Sequence, residues 1–257
     1  FFPNLLGSRP ASEIDRITIM QEVFDKSTFE HLASFRSPYH YVKPALSTIS
    51  LLKREAIDSK ELRNRLDREE KEILAATDYR HEKGAHKGKV KGVYLERELA
   101  IAKNRELAIL YDGYEIGLAK QKLFDFDDMI VSLVRGLTDN DDLRLILQEE
   151  YQYLLADEHQ DANGAQNKVL ELLSSFHDSP NLFIVGDDEQ AIYRFQGASL
   201  ENFLYFHKRF PGANLINLTD NYRSTQTVLD TAYNLIKRSD PDGHRGRTSD
   251  VRLRACA

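Results

Sequence analysis

Cysteine is almost missing from this sequence of 257 residues, and Cys256 is the single example. One thiol excludes an intrachain disulfide and any zinc site built from several thiolates. The sequence has no uninterrupted run of about 18 apolar residues, so it predicts no membrane-spanning helix. Residues 1–6 lack the basic flank and the long apolar stretch of a signal peptide. These absences favour a cytoplasmic protein that does not engage a membrane.

An excess of positive charge is missing as well. The formal net charge is -6, from 35 lysines and arginines against 41 aspartates and glutamates. This balance argues against a protein that coats nucleic acid by bulk attraction, so local patches must carry any such contact. Because the sequence starts at Phe1 without an initiator methionine and contains no tryptophan, we expect a fragment of a longer protein.

Proline is missing between Pro44 and Pro180, and a gap of this length is typical of a helix-rich segment. Apolar residues at helical spacing predict amphipathic helices from Leu46 onward, with a restart near residues 58–61. A second helical block is predicted over about residues 94–122, with a stripe that includes Leu99, Ala102, Leu107, Leu110, Tyr114 and Leu118. The first half of the chain is therefore expected to be α-helical.

A basic loop punctuated by glycines separates these helices at residues 79–92. Its composition leaves two interpretations open: a solvated loop, or a loop that contacts DNA phosphates through Lys87, Lys89 and Lys91. The loop is not a nucleotide phosphate loop, because the spacing G-x-x-x-x-G-K-[ST] fails and Val90 replaces the hydroxyl residue. That motif is missing from the rest of the chain too.

Short apolar runs at residues 153–156, 182–185 and 215–218 change the pattern in the second half. They predict buried parallel strands, and residues 165–176 predict a crossover helix between the first two strands. The second half is therefore expected to be α/β. Residues 240–257 show no useful periodicity, and we expect a frayed or non-native tail there.

Polar residues follow each of these runs. Asp157 and Glu158 come at the expected carboxyl edge of a parallel sheet, where ligands bind in open α/β folds. An Asp there can hold the magnesium ion that bridges nucleotide phosphates, and the next Glu can deprotonate the attacking water. A solvated turn explains such a pair equally well when it stands alone. Gln190, after the second run, can sense a γ-phosphate through its amide.

Aromatic residues accompany the later runs. Tyr193 and Phe195 offer flat faces for unpaired bases, with ordinary core packing as the alternative. After the third run, Arg223 can stabilise transferring phosphoryl charge and Tyr222 can stack on a base. Each feature alone is weak evidence, whereas the order and spacing of all three blocks favour one function.

The three blocks resemble motifs II, III and IV of the UvrD/Rep/PcrA helicases of superfamily 1. They read LADEHQD at residues 155–161, VGDDEQAIYRFQGA at 185–198 and NYRST at 221–225. Residues 124–130, FDFDDMI, resemble the D-F-D-D-L-I segment that precedes motif II in that family. The resemblance spans about residues 14–238 and is closest after residue 124.

This resemblance implies a fold and a domain arrangement. The fold class would be α/β: a partial RecA-like P-loop NTPase domain with parallel strands, preceded by an all-α inserted subdomain. The inserted subdomain would cover residues 1–123 and part of the first motor domain residues 124–218. The second RecA-like domain would begin over residues 219–239, before the tail at 240–257.

The resemblance also implies roles for residues at the nucleotide, which are Asp157, Glu158, Asp161, Gln190, Tyr222 and Arg223. Asp157 would hold Mg2+, and Glu158 would be the catalytic base. Gln190 would contact the γ-phosphate, and Arg223 would be the arginine finger. Tyr222 would stack on adenine, and Asp161 would belong to the nucleotide-binding residues.

Three aromatic residues, Tyr193, Phe195 and Phe126, would contact single-stranded DNA. The chain departs from the family at Phe195, which usually is Trp, at Gln196, which often is Arg, and at His159, which usually is Tyr or Phe. A larger departure is that the adenine-recognising Gln motif, the phosphate loop and motifs Ia, V and VI have no counterpart.

The leading hypothesis is a central fragment of an ATP-dependent DNA helicase that uses ATP and Mg2+ and translocates 3′ to 5′. Its partners would be single-stranded DNA, junctions of single- and double-stranded DNA, and the remainder of the helicase chain. The fragment alone is expected to be inactive. The alternatives are a helicase subunit of a RecB- or AddA-type recombination complex and an ATPase-dead DNA-binding or scaffold protein.

Overall fold

The computed structural model describes residues 8–34, 36–81, 83, 86–187, 190, 205–206, 208–239 and 253–256. The chain divides into two compact units, Phe1–Leu143 and Arg144–Ala257. Within the described ranges, no helix combines the length and the apolar character needed to cross a lipid bilayer.

The first unit is rich in helices, as the missing prolines and the helical spacing predict. Its helices are α1 (Glu13–Lys26), α2 (Val42–Arg54), α3 (Ser59–Ala75), α4 (Gly92–Lys120) and α5 (Phe126–Asp139). The restart predicted near residues 58–61 is confirmed, because Asp58 caps α3 and its side chain accepts a hydrogen bond from the Glu61 N–H. Two short strands, β1 (Arg9–Pro10) and β2 (Leu123–Phe124), pair in parallel. Strand β1 precedes α1, and β2 precedes α5.

Helix α4 forms the centre of the first unit. Near its carboxyl end it packs against α1 and α2, and the buried residues there include Ile19, Ile49, Leu110 and Tyr114. Nearer its start it packs against α3, with a separate cluster of buried residues: Ile57, Leu62, Leu66, Ile73, Ile101 and Ala108. Burial of these apolar stripes supplies most of the free energy that holds the helices together.

The predicted stripe on α4 is correct in its second half and wrong at its start. Leu107, Leu110, Tyr114 and Leu118 are buried, whereas Leu99 is 44% exposed. The reason is that the helices packed against α4 change along its 29 residues, so a single stripe does not face the core throughout.

The second unit contains the parallel pair that the sequence predicts. Strands β3 (Leu154–Ala156) and β4 (Leu182–Ile184) pair in parallel, and Leu155 stands opposite Phe183. The predicted crossover helix between them is confirmed as α7 (Gly164–Ser174). Helix α6 (Asp141–Glu150) precedes β3, and α8 (Gln226–Ser239) follows a third short pair formed by β5 (Asp220–Asn221) and β6 (Arg254–Ala255).

Two expectations about these strands are wrong. The central residues of β3 and β4 are not buried: Leu155 is 75% exposed and Phe183 55% exposed, because side chains alternate between the faces and one face of the pair lacks a cover among the described residues. Residues 215–218 form no strand, and Ile216 is 71% exposed. An apolar run becomes a strand only where a neighbour accepts and donates ladder hydrogen bonds, which in this region happens at β5 instead.

Candidate active site

The turn after β3 carries the two acidic residues of the candidate site. The N–H of His159 donates to the carbonyl of Val185 (3.0 Å), and the N–H of Val185 donates to the carbonyl of Ala156 (2.8 Å). These two hydrogen bonds fix the turn to the segment that follows β4. Within it Glu158 has φ 49° and ψ 39°, a left-handed conformation that costs about 1–2 kcal/mol for an L-residue. Asp157 and Glu158 are both exposed at the carboxyl end of the parallel pair.

Asp157 offers oxygen atoms to solvent and helps to fix the turn. Its Oδ1 accepts a hydrogen bond from the Glu158 N–H at 2.9 Å. An exposed carboxylate is a suitable ligand for Mg2+, a cation that takes one or two carboxylates and completes its shell with water and phosphate oxygens. The described residues contain no group of three or more histidines, cysteines or carboxylates arranged to hold a metal ion by themselves. Asp157 could supply one carboxylate oxygen to such a shell.

A buried glutamine joins the acidic turn to the end of β4. Gln160 is 2% exposed, and its Nε2 lies 2.5 Å from Oε2 of Glu158. Its Oε1 accepts a hydrogen bond from the N–H of Asp187 at 3.1 Å. Asp187 in turn accepts a hydrogen bond on Oδ2 from Nε2 of Gln190 at 2.8 Å. Two predicted site residues, Glu158 and Gln190, thus belong to one chain of hydrogen bonds.

The sequence motifs indicate no separate role for Gln160 or Asp187. Both lie inside the motifs, so their positions were visible, but their contact joins residues 27 apart in the chain. Sequence spacing alone does not specify which amide meets which backbone group. The signal that could have found them is their place in the two turns that follow adjacent parallel strands.

The buried side chain of His159 anchors the same turn. Its side chain is 2% exposed, and its ring meets Phe206 edge to face at a centroid distance of 5.4 Å. Burial lowers the pKa of the His159 imidazole, which favours the neutral form. The residue therefore takes the packing place of an aromatic ring, in agreement with the Tyr or Phe that it replaces.

The third block stands apart from this hydrogen-bonded chain. Asn221 Oδ1 accepts hydrogen bonds from the N–H groups of Arg223 (3.0 Å) and Ser224 (2.8 Å), which shapes the turn after β5. Tyr222 is 80% exposed and Arg223 is exposed. Within the described residues, neither of them forms a hydrogen bond or an ion pair with Glu158 or Gln190. Asp161 is exposed, and its N–H donates to the Glu158 carbonyl at 3.0 Å.

Two of the predicted DNA contacts, Tyr193 and Phe195, lie outside the described residues. The third, Phe126, is the first residue of α5 and is 73% exposed. The start of α5 is closed by a capping box in which Asp125 and Asp128 each accept the backbone N–H of the other. Phe126 is therefore an exposed ring on a rigidly held helix start.

A fully buried lysine holds this helix start in place. Lys53 of α2 is 0% exposed, and its Nζ lies 2.9 Å from Asp125 Oδ2 and 2.6 Å from Glu115 Oε1. It also pairs with Asp128. We call Lys53, Glu115, Asp125 and Asp128 the Lys53 cluster, and it ties α2 and α4 to the first turn of α5. The cluster is not visible in the sequence, because Lys53 is 72 residues from Asp125.

The charged groups of the Lys53 cluster shift one another's pKa values. Burial opposes the charge of Lys53, but the carboxylates of Asp125, Glu115 and Asp128 outweigh it and raise the pKa of the lysine. Burial would raise the pKa of Asp125, but the ammonium group of Lys53 holds it below its usual value. At Asp128, burial and the neighbouring carboxylates outweigh Lys53 and raise the pKa to about 6. One lysine therefore faces more carboxylate charge than it neutralises.

The basic loop forms a short hairpin at its described ends. Arg80 pairs with Val90 across an antiparallel bridge, and the His81 N–H donates to the Lys89 carbonyl at 3.0 Å. Gly88 has φ 81°, which a side chain there would strain. Lys87 and Lys89 are exposed, whereas Lys91 pairs with Asp78 at 2.8 Å. The three predicted DNA-contacting lysines are thus not equivalent.

Comparison with known proteins relates this chain to one family. The model of the UvrD/REP helicase N-terminal domain matches residues 11–211. The ATP-dependent DNA helicase PcrA of Staphylococcus aureus (strain Mu50 / ATCC 700699) is 36% identical over 151 residues, which is 59% of this chain and 20% of that protein. The ATP-dependent DNA helicase PcrA of Leuconostoc citreum is 37% identical over 134 residues, which is 52% of this chain and 18% of that protein. The aligned part of the chain spans about a fifth of the length of these curated relatives.

Proposed function

Because this chain belongs to the UvrD/REP helicase N-terminal domain family, we propose that it forms part of the motor of an ATP-dependent DNA helicase. The observation that supports this best is the hydrogen-bonded chain from Glu158 through Gln160 and Asp187 to Gln190. It links a carboxylate to an amide through Gln160 and Asp187, at the carboxyl end of a parallel strand pair. Such a pair suits hydrolysis of a phosphoanhydride, which needs a group on the attacking water and a group on the γ-phosphate.

In this proposal each site residue has one task at the nucleotide. Asp157 holds Mg2+, which when bound neutralises charge on the phosphates. Glu158 orients the attacking water and accepts its proton, while the Gln190 amide contacts the γ-phosphate. The three remaining residues of the set are Arg223 as arginine finger, Tyr222 against adenine and Asp161 within the nucleotide-binding turn.

The proposed enzyme couples this hydrolysis to movement along single-stranded DNA in the 3′-to-5′ direction. Phe126, with its exposed ring, stacks on a base, as do Tyr193 and Phe195. In this proposal residues 124–218 are part of a RecA-like domain, residues 1–123 are a helical insertion, and residues 219–239 begin a second RecA-like domain. The whole enzyme acts in the cytoplasm on junctions of single- and double-stranded DNA.

The test of this proposal compares the 257-residue chain with a whole helicase that contains it and carries the phosphate loop. We expect the whole protein to hydrolyse ATP faster when single-stranded DNA is added. We expect the 257-residue chain to show no turnover above background, because the backbone amides and lysine that cradle the phosphates are missing from it. Steady-state phosphate release measures both.

Three results would contradict this expectation or favour one of the alternatives. DNA-stimulated hydrolysis by the 257-residue chain would show that the phosphate loop is dispensable. Single-strand binding by the whole protein without any hydrolysis would favour the ATPase-dead scaffold. Nuclease activity in the same whole protein would favour a RecB- or AddA-type subunit.

The hairpin gives a second prediction, which concerns duplex DNA. Lys87 and Lys89 are exposed, so the double variant Lys87→Ala/Lys89→Ala in the whole helicase should lose two phosphate contacts. Each lost contact should flatten the plot of log affinity against log salt concentration by about 0.9, without a change in sequence preference. Fluorescence anisotropy of a labelled duplex over a salt series measures this slope.

Two further variants serve as controls for the hairpin. Lys91→Ala should change the slope less, because Asp78 already neutralises part of its charge. Lys60→Ala removes an exposed lysine of α3 outside the hairpin and should leave the slope unchanged. If the double variant and Lys60→Ala give the same slope as the parent, the hairpin lysines serve solubility alone.

A further inference from the structure

We propose that Gln160 is a positioning residue that couples the catalytic base Glu158 to the γ-phosphate contact Gln190. The inference rests on the proposed function and adds a residue whose task is to make the two groups move together. Gln160 contacts neither nucleotide nor water in this proposal. It acts through the residues at its two ends.

The orientation of the Gln160 amide follows from its partners. A backbone N–H can only donate, so the group facing the Asp187 N–H at 3.1 Å must be the amide oxygen. The amide nitrogen then faces Glu158, where Oε2 of the carboxylate lies 2.5 Å away. An ionised carboxylate accepts hydrogen bonds and cannot donate them, so both ends of the amide match their partners. Among the natural side chains of this length, only a glutamine supplies a donor and an acceptor together without taking up a proton.

Burial makes this link rigid. Gln160 is 2% exposed, whereas Glu158 and Gln190 are exposed. A buried amide that exchanges either partner would leave a polar atom unsatisfied, which is unfavourable away from water. Glu158 also has a left-handed backbone, which its hydrogen bonds must hold against local strain. The amide therefore fixes the direction of the base before any substrate arrives.

The link continues beyond Asp187 to the residue that senses the nucleotide. The backbone of Asp187 binds Gln160, and its side chain accepts a hydrogen bond from Nε2 of Gln190 at 2.8 Å. When Gln190 turns toward a γ-phosphate it must give up or stretch this bond. The turn at Asp187 then shifts, and Gln160 transmits that shift to Oε2 of Glu158. Only Oε2 accepts from Gln160, which leaves Oε1 to receive the proton of the attacking water.

The experiment uses the whole helicase and measures kcat and KM for ATP with saturating single-stranded DNA. Gln160→Leu removes both ends of the link at similar volume. Gln160→Glu keeps an acceptor for the Asp187 N–H but sets a second carboxyl group against Glu158 in place of the amide donor. Both variants should lower kcat by about 10- to 100-fold while KM for ATP changes by less than about 3-fold, because the base is misplaced and nucleotide binding is not.

Gln148→Leu is the matched control. Gln148 is 7% exposed, lies in the same unit, and its Nε2 donates to the Leu172 carbonyl at 2.7 Å and to the Ser175 hydroxyl. The substitution removes a buried amide of the same kind, but its hydrogen bonds go to the end of α7 and not to either turn. We expect it to lower the unfolding temperature and to leave kcat within about 2-fold of the parent.

Double-mutant cycles separate a positioning role from a structural one. If Gln160 acts through Glu158, then Gln160→Leu added to Glu158→Gln should cause almost no further loss of kcat. The same non-additivity is expected when Gln160→Leu is combined with Gln190→Ala. Should Gln160→Leu fail to fold by circular dichroism, Gln160→Glu takes its place in both cycles.

The outcomes are distinguishable from those that test the proposed function. Normal kcat in the Gln160 variants, an equal loss in Gln148→Leu, or additive losses in the cycles would overturn the coupling while Glu158→Gln remains inactive. A parent without DNA-stimulated hydrolysis, or a Glu158→Gln variant with normal turnover, would overturn the proposed function itself.

Discussion

Glu158→Gln in the whole helicase is expected to bind ATP normally and to lose turnover by about 10²- to 10⁴-fold, the contribution of a general base. The substitution keeps the size of the side chain and an oxygen that can accept from Gln160, but the amide cannot take a proton from water. The exposed carboxylate at the end of β3 is therefore tested for its chemistry rather than for its packing. DNA-stimulated phosphate release and titration with a fluorescent ATP analogue measure the two quantities.

Glu149→Gln is the control for this loss. Glu149 is an exposed carboxylate of α6 in the same unit, and its substitution removes the same charge away from the candidate site. It should leave kcat and ATP affinity unchanged. A Glu158→Gln variant that turns over at a rate close to that of the Glu149→Gln variant would show that Glu158 is not the base.

Lys53→Met is expected to lower the free energy of unfolding by about 3–5 kcal/mol, as breaking a buried ion pair does. The substitution keeps the buried volume but leaves the carboxylates of Glu115, Asp125 and Asp128 without their counter-charge. Urea unfolding of the 257-residue chain, followed by far-ultraviolet circular dichroism, reports the first unit, where most helices lie.

The loss of unfolding free energy caused by Lys53→Met should depend on pH. Burial raises the pKa of Asp128 to about 6 in the folded protein. Protonation of Asp128 therefore stabilises the folded state at low pH, and this contribution is lost as the pH rises through about 6. Without Lys53 the carboxylates hold protons still more tightly. The loss caused by Lys53→Met should therefore be larger at about pH 8 than at about pH 5.

Lys43→Met is the matched control for Lys53→Met. Lys43 lies on the same helix α2 but is exposed, so its substitution should change stability by less than about 0.5 kcal/mol. Equal unfolding midpoints for the two variants at both pH values would mean that the Lys53 cluster does not hold α2, α4 and α5 together.

The sequence was sufficient where structure depends on neighbouring residues. The start of α3 follows from Asp58 and the apolar spacing behind it, because a cap and an amphipathic stripe act within one helix. The same reasoning found α7 and the parallel pair of β3 and β4 around it. It was wrong at residues 215–218, where an apolar run has no strand partner. A strand is decided by its neighbours, and composition does not name them.

Some features of the candidate site likewise follow from the sequence, and others only from the tertiary structure. By itself the sequence identified the candidate residues for the chemistry, because Asp157, Glu158 and Gln190 lie in short motifs whose order points to one family. Only the tertiary structure decided that Gln160 joins two motifs 27 residues apart and that Lys53 meets Asp125 across 72 residues. Both contacts join buried polar groups whose partners are selected by packing. The physical reason is that a buried donor or charge must find its partner in space, and that choice is made by the fold as a whole.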